Sequence, residues 1–443
     1  MKNKHTDKRL KIAVVGSGIS GLVCARGLAQ THEVTLFELG DRLGGHTHTV
    51  RVVEEGVQLG IDTGFIVFND WTYPHFIALM NTLGVKSKPS DMGFGVKCDQ
   101  TGIEYQGRNL DTLFAQRKNL LSYPHIRMLL EILRFNRESI AYIELHPHTE
   151  IPLGEFLNLN SYSSRFQSHY ILPMGAAIWS ASKDQMLQFP LKFFVSFFKN
   201  HGMLSVNDRP IWRVLEGGSS SYLKEILKDR TVTVRLNTRI ESIRRFEHEV
   251  LIRVASPSQS LEKFDQVVLA CHSDQAMDLL EDVTPREREI LSEIPYQNNE
   301  TVLHTDTSKL PKNKKAWAAW NYKVNQDPQS PVSVTYNMNI LQGIQSKKTY
   351  LVSLNMTPEI DPSKIILKQQ YTHPVYKLSS PKAQGRWSEI SGTSQRTHFA
   401  GAYWRSGFHE DGVWSGLRVL GSFGIILDEM PAQALKDLGG VVT

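Results

Sequence analysis

Cysteine is scarce: Cys24, Cys98 and Cys271 are the only three in 443 residues, an odd number spread far apart. That excludes a disulfide framework and a local cysteine metal clip, and fits buried thiols in a reducing compartment. No metal is expected. Long apolar runs are missing too, so no stretch of about 18 residues could span a bilayer. Met1 to Leu10 is polar and basic, and the apolar stretch from Ile12 is punctuated by glycine, so no secretory leader is read there. A cytoplasmic protein is expected. Charge of one sign is not concentrated: 50 Lys and Arg face 45 Asp and Glu, net +5, with no basic block. A nucleic-acid partner is therefore not expected, and only a mild preference for anionic surfaces remains. No solenoid-length repeat is visible. What is present is a chain 41% hydrophobic and 21% charged, enough for a large core and two or three folding units.

The first informative segment is Lys11 to Gly16, Lys-Ile-Ala-Val-Val-Gly, a short apolar run suited to a strand buried on both faces. Gly16-Ser17-Gly18-Ile19-Ser20-Gly21 then opens a helical pattern through Leu22, Ala25 and Leu28, and Glu33 to Glu38 reads as a second strand. Gly16 permits a tight turn, Gly18 lets a pyrophosphate approach the backbone at Ile19 and Ser20, and Gly21 allows close helix–sheet packing. Glu38, before Leu39 at the end of the second strand, can accept hydrogen bonds from a ribose. A bound dinucleotide follows.

Asp41-Arg42-Leu43-Gly44-Gly45-His46 continues directly from that strand. Here the sequence resembles the flavin-containing amine oxidase and phytoene desaturase superfamily, in which an Arg-x-Gly-Gly pair wraps the FAD pyrophosphate. Two glycines give the backbone room to close over a diphosphate, and Arg42 offers a planar charged fork. The resemblance implies an α/β fold: an FAD-binding Rossmann-like domain of glutathione-reductase type with an inserted α+β substrate domain. It also places Thr63, Gly64 and Phe65 beside the flavin ring, the backbone of Ile240 near the adenine, and Ala270 in a segment where Cys271 replaces the usual Thr. The FAD domain is expected in three pieces, 1–105, 210–285 and 390–430. The substrate domain takes 106–209 and 286–389, and 431–443 is a tail.

Thr397 to Gly401 reads as a last strand, followed by the loop Ala402 to His409 and a helical run from Trp414 to Leu427. The free N–H groups near Asp411, Gly412 and Val413 could stabilise negative charge on a reduced flavin. Gly401-Ala402-Tyr403 with Gly407-Phe408-His409-Glu410-Asp411-Gly412, Asp62-x-Gly64-Phe65 with Tyr73-Pro74, Ile178-Trp179-Ser180 and Trp317-x-x-Trp320-Asn321 resemble a narrower group. This is the oxidase-like domain at the N-terminus of plant cyclopropane fatty acid synthases, also found as stand-alone bacterial NAD/FAD-binding oxidoreductases. The likeness runs from about Lys11 to Leu427. Ala402 departs from the superfamily, which often has an acid there on the FAD ribityl or phosphate.

The resemblance implies an FAD-dependent oxidoreductase that dehydrogenates a lipid acyl chain, modified or methyl-branched, by hydride transfer to flavin N5. His409 and Glu410 are candidates for proton handling or substrate positioning, with capping and packing as their structural reading. Trp179 and Trp320 could wall the cavity. His304 and Asp306 form either a pair in the substrate domain or a solvated strand face. FAD is expected to be non-covalent, because no cysteine follows Cys271. Flavin amine oxidation is the enzymatic alternative, which would use an aromatic cage and usually a lysine. The non-catalytic alternative is an FAD-stabilised partner that presents lipid to a separate methyltransferase. Finally, Lys192 to Lys199 and the basic helix around Arg127 to Arg137 predict a peripheral contact with anionic membrane.

Overall fold

The computed structural model describes residues 9–427 apart from 256–259, 326 and 328; the expected tail at 431–443 lies outside the described residues. Strands β1 (Lys11–Val15), β2 (Glu33–Phe37), β3 (Val232–Arg235), β4 (Gln266–Leu269) and β5 (Thr397–Phe399) form one parallel sheet in the order β3-β2-β1-β4-β5. Parallel strands covered on both faces need continuous apolar runs, and Ile12, Ala13 and Val14 are fully buried. The turn between β3 and the next strand, Ile240–Arg245, holds Asn237 at φ 49°, a left-handed conformation that Asn tolerates. Helix α1 (Ile19–Leu28) leaves β1 and is buried at every position. This is the doubly wound arrangement in which ligands sit beyond the carboxyl ends of the strands.

A second sheet has seven strands: Ile365–Pro374, Tyr296–His304, Leu351–Leu354, Val334–Asn337, Trp320–Lys323, Phe94–Cys98 and Ile103–Gln106 in spatial order. All neighbours run antiparallel except Trp320–Lys323 against Phe94–Cys98. The segment 94–105, placed with the nucleotide-binding unit by sequence, therefore pairs within this second sheet. Its strands look alike in sequence to those of the first, and only pairing tells them apart.

Helices α2 (Pro74–Thr82), α3 (Tyr123–Leu145) and α4 (Leu191–Asn200) follow, with short strands such as Thr49–Glu54 and Val57–Asp62 pairing in smaller sheets of their own. In α4, Phe194, Phe197 and Phe198 are buried. Phe193 packs 5.1 Å from Tyr376, while Lys199 bonds Glu144. The expected lipid-facing aromatic face of Lys192 to Lys199 is thus core. Helix α3 instead buries His125, Met128, Glu131, Phe135 and Ser139, leaving Ile126, Leu130 and Leu133 exposed. No helix among the described residues is long and apolar enough to cross a membrane. Helix α5 (His409–Ser422) returns to the first sheet and packs on α1, where Gly412 and Gly416 face Ile19 and Val23.

Candidate functional site

A cavity of about 850 Å³ runs from the carboxyl ends of β1 and β2 to the second sheet. Its first end is built by glycine. Gly16 adopts φ +100°, and a Cβ there would lie 2.7 Å from the Ala270 carbonyl oxygen. Gly21 is under the same constraint, with a Cβ position 2.0 Å from the Gly16 oxygen. At Gly18 an added Cβ would meet nothing within 4 Å, so the backbone there faces open space beside Gly45. Glu38 closes this end: its carboxylate accepts from the Ser17 amide at 3.0 Å and the Gly40 amide at 2.8 Å. Leu39, Gly44, Ile240, Gly401 and Ala402 complete the wall with Ile19 and Ser20.

Arg42 does not line the cavity. Its guanidinium donates to the carbonyls of Thr47 at 2.8 Å and Gly45 at 2.9 Å, bracing the Gly-Gly loop from behind. Gly64 lies against the His46 carbonyl, and the Phe65 amide donates to it at 2.9 Å. Thr63, Gly64 and Phe65 therefore stand opposite His46 on the same cavity. Gly412 is a packing residue; a Cβ there would lie 2.5 Å from Ile19 Cγ2, so glycine lets the start of α5 sit on the start of α1. Asp411 caps α5 by accepting the Phe408 amide at 2.9 Å, and burial pushes its carboxyl up to about 7.

The four candidates for chemistry separate. Glu410 does not line the cavity: its carboxylate accepts from the Phe76 amide at 2.9 Å, from the His75 amide at 3.2 Å and from the His75 ring. It caps the N-terminus of α2, which satisfies the orphan amides of that helix. His409 lines the cavity, but its ring lies flat on Phe65 at 3.6 Å and its Nε2 meets the Thr47 hydroxyl at 2.8 Å. Burial holds it well below the ordinary histidine range, so it is neutral. Trp179 and Trp320 do wall the cavity. Trp179 donates to the Ser406 carbonyl at 3.3 Å, whereas Trp320 Nε1 is buried without a partner and stands edge-on to Tyr336 at 4.9 Å. His304 closes the strand Tyr296–His304 and Asp306 follows it, both buried outside the cavity. There His304 accepts the Asp306 amide and meets the Ser353 hydroxyl, neither a solvated face nor part of the site.

Sequence reasoning missed a histidine and tyrosine cluster on the strand Ile365–Pro374. Tyr371 stacks on His46 at 5.0 Å, His373 stands 5.3 Å from His46, and His272 stacks on Tyr296 at 4.0 Å. The alternation of Ile365, Leu367, Gln369 and Tyr371 with more exposed neighbours was the available signal for this strand. Burial lowers His46 and His272 to about 4 and His373 to about 3, so all three rings are uncharged at neutral pH.

The tautomer of His373 is fixed by a chain of amides. The Glu300 amide donates to Asn355 Oδ1 at 3.0 Å, and Asn355 Nδ2 donates to Asn299 Oδ1 at 2.9 Å. Asn299 Nδ2 must then donate to His373 Nδ1, 2.9 Å away. A backbone N–H starts the chain, so neither amide can be flipped without losing a bond. Nδ1 of His373 accepts, and Nε2 carries the proton.

The family model for flavin containing amine oxidoreductase matches residues 19–335. The chain belongs to that family. Its cofactor is FAD, and the residues fit it: the open backbone at Gly18, the Glu38 carboxylate after β2, and His46 Nε2, which is buried without a partner on the cavity wall. Over 335 residues the chain is 19% identical to an L-amino-acid oxidase of Siganus canaliculatus, covering 69% of this chain and 58% of that protein. Over 123 residues it is 30% identical to an L-amino-acid oxidase of Mus musculus, 22% of this chain and 19% of that one. The chain thus spans less than two thirds of the curated relatives it matches. Among solved structures, a CLA-producing fatty acid isomerase from P. acnes shares the fold with TM-score 0.66 and 16% identity, over 93% of this chain and 98% of that one. Cyclohexylamine oxidase from Brevibacterium oxydans IH-35A gives TM-score 0.61 and 15% identity, over 92% and 97%.

Proposed function

We propose that this chain is an FAD-dependent oxidoreductase acting on an uncharged apolar substrate, the acyl chain of a lipid. One observation carries the reading. The charged residues that line the cavity, Glu38, Arg239, Glu241 and Asp278, lie at β2, on or beside the strand Ile240–Arg245, or on the helix Ser273–Leu279 packed against that strand. Beyond Phe65 the wall includes Ile66, Val67, Ile178, Trp179, Trp320 and Leu354 beside the uncharged polar residues Tyr73, Ser180, Thr301 and Tyr336, with no Lys, Arg, Asp or Glu. A free amino acid would leave its carboxylate there without a cation, which is costly in an apolar site. An acyl chain needs only dispersion contacts and exclusion of water.

Bound in this cavity, FAD supplies the two-electron acceptor. The protein orients the chain between Trp179 and Trp320, whose faces fix its path. His373, with its proton on Nε2, offers one neutral donor for an acyl carbonyl oxygen. No lysine lines the cavity, which weighs against the amine reading, although the aromatic walls suit it. FAD is held without a covalent bond in this reading, as no cysteine follows Cys271 in the sequence. Acid precipitation should leave the flavin in the supernatant.

The test is the visible spectrum of purified protein under anaerobic conditions, before and after a lipid extract, with a panel of amines beside it. Bleaching by lipid alone supports the acyl substrate, and bleaching by amines alone overturns it. Bands that neither reagent bleaches would favour the non-catalytic partner of a lipid methyltransferase.

A further inference from the structure

We propose that the start of α3 and the turn before it form a docking surface for an anionic lipid bilayer. The 3-10 turn Arg117–Leu121 leads directly into α3, and together they present six large apolar side chains to solvent. Leu121 is 93% exposed, Tyr123 71%, Leu130 63%, Leu133 53%, Leu120 50% and Ile126 40%. Tyr123, Ile126, Leu130 and Leu133 follow helical spacing, so they lie along one stripe that continues into Leu120 and Leu121. Single exposed leucines are ordinary, but a contiguous ridge of this kind marks an interaction site.

The charge around the ridge selects the occupant. Residues 117–138 contain Arg117, Lys118, Arg127, Arg134 and Arg137 against Glu131 and Glu138, with Arg117 paired to Asp111 and Arg134 to Glu138. Glu131 is buried and committed to the Ser163 amide and hydroxyl and to Arg127. Lys118 and Arg137 are exposed and have no ion-pair partner among the described residues. Aliphatic side chains flanked by unpaired cations match the boundary between acyl chains and anionic headgroups. A second copy joined symmetrically through the same ridge would bring these cations against themselves. The surface lies on the helical region whose inner face holds Trp179, so it serves a membrane-derived substrate but does not depend on one.

The full chain, loaded with FAD, is sedimented with vesicles of phosphatidylcholine alone or of phosphatidylcholine mixed with phosphatidylglycerol. We expect binding only to the mixed vesicles, weakened by salt. Leu121→Asp with Leu130→Asp should reduce it about a hundredfold, and Lys118→Glu with Arg137→Glu about tenfold. All four positions are exposed, and retention of FAD absorbance reports that each variant folds. Equal partitioning of wild type and the leucine variant, or no partitioning of either, overturns the proposal. So does a dimer in sedimentation velocity that the leucine variant abolishes while vesicles bind neither protein. Amine bleaching in the spectral test would leave this surface untouched, so the two readings fail separately.

Discussion

His373 shows how much chemistry rests on one proton. Its Nδ1 accepts from Asn299, so its Nε2 donates, and that polarity comes from two asparagines outside its own strand. Asn299→Asp replaces the donating amide with an acceptor, which moves the proton to Nδ1 and raises the ring's affinity for a second one. Nitrogen chemical shifts of histidine-labelled protein should report the switch without any substrate; unchanged tautomer signals would refute the amide chain. Glu410 carries the opposite lesson. Its neighbour His409 lines the cavity, yet the glutamate points at α2. Glu410→Ala leaves two buried amides unsatisfied and should cost roughly 1–3 kcal/mol in denaturant unfolding. Glu410→Gln, which keeps an acceptor, should recover part of that.

At the scale of elements, α3 and α5 contrast. Helix α3 has apolar residues around much of its circumference, so helical period alone would equally allow a buried face through Ile126, Leu129, Leu130, Leu133 and Ile140. The packed line is instead Met128, Glu131 and Phe135, chosen by the neighbouring aromatics Tyr162 and Phe166. Helix α5 offers no such choice, because its glycines leave one close approach to α1. Gly412→Val would drive its side chain into Ile19 and should lower both the melting temperature and the FAD content of purified protein. A variant with full flavin occupancy and unchanged melting would show that the approach is not needed.

For the whole molecule, buried neutral histidines set the acid limit. Burial lowers His46, His48 and His272 to about 4, and His373 and His398 to about 3, against an ordinary value of 6.5. Below pH 6.5 the unfolded chain binds these protons and the folded one does not, so their contribution is full above 6.5 and falls toward pH 4. Asp62 and Asp411 act with the opposite sign. Burial raises them to about 6 and 7, so ionisation of the unfolded chain above pH 4 draws stability down until those values are reached. With His169, His201 and His304, also lowered to about 4, eight histidines stand against two aspartates, which predicts a lower melting temperature at pH 5 than at pH 7.5, measured by calorimetry. Removing FAD should lower it further at both, since a ligand bound only to the folded state adds stability by mass action.

The sequence by itself determined the nucleotide end of the site. A strand, a glycine turn, a helix and an acid follow one another within Lys11 to Glu38, and each is dictated by local sterics. The second glycine pair was legible for the same reason, whereas α5 begins at His409, five residues before the helical run read from Trp414. Only the tertiary structure decided the rest. Segment 94–105 joined the second sheet because strand pairing is non-local, and α3 turned its leucines outward because packing overrides period. Arg42 spends its guanidinium on backbone carbonyls, and Glu410 caps a helix more than three hundred positions away in sequence. The cluster of His46, His272 and His373 assembles from three distant segments, and its neutral state depends on burial that no local pattern records.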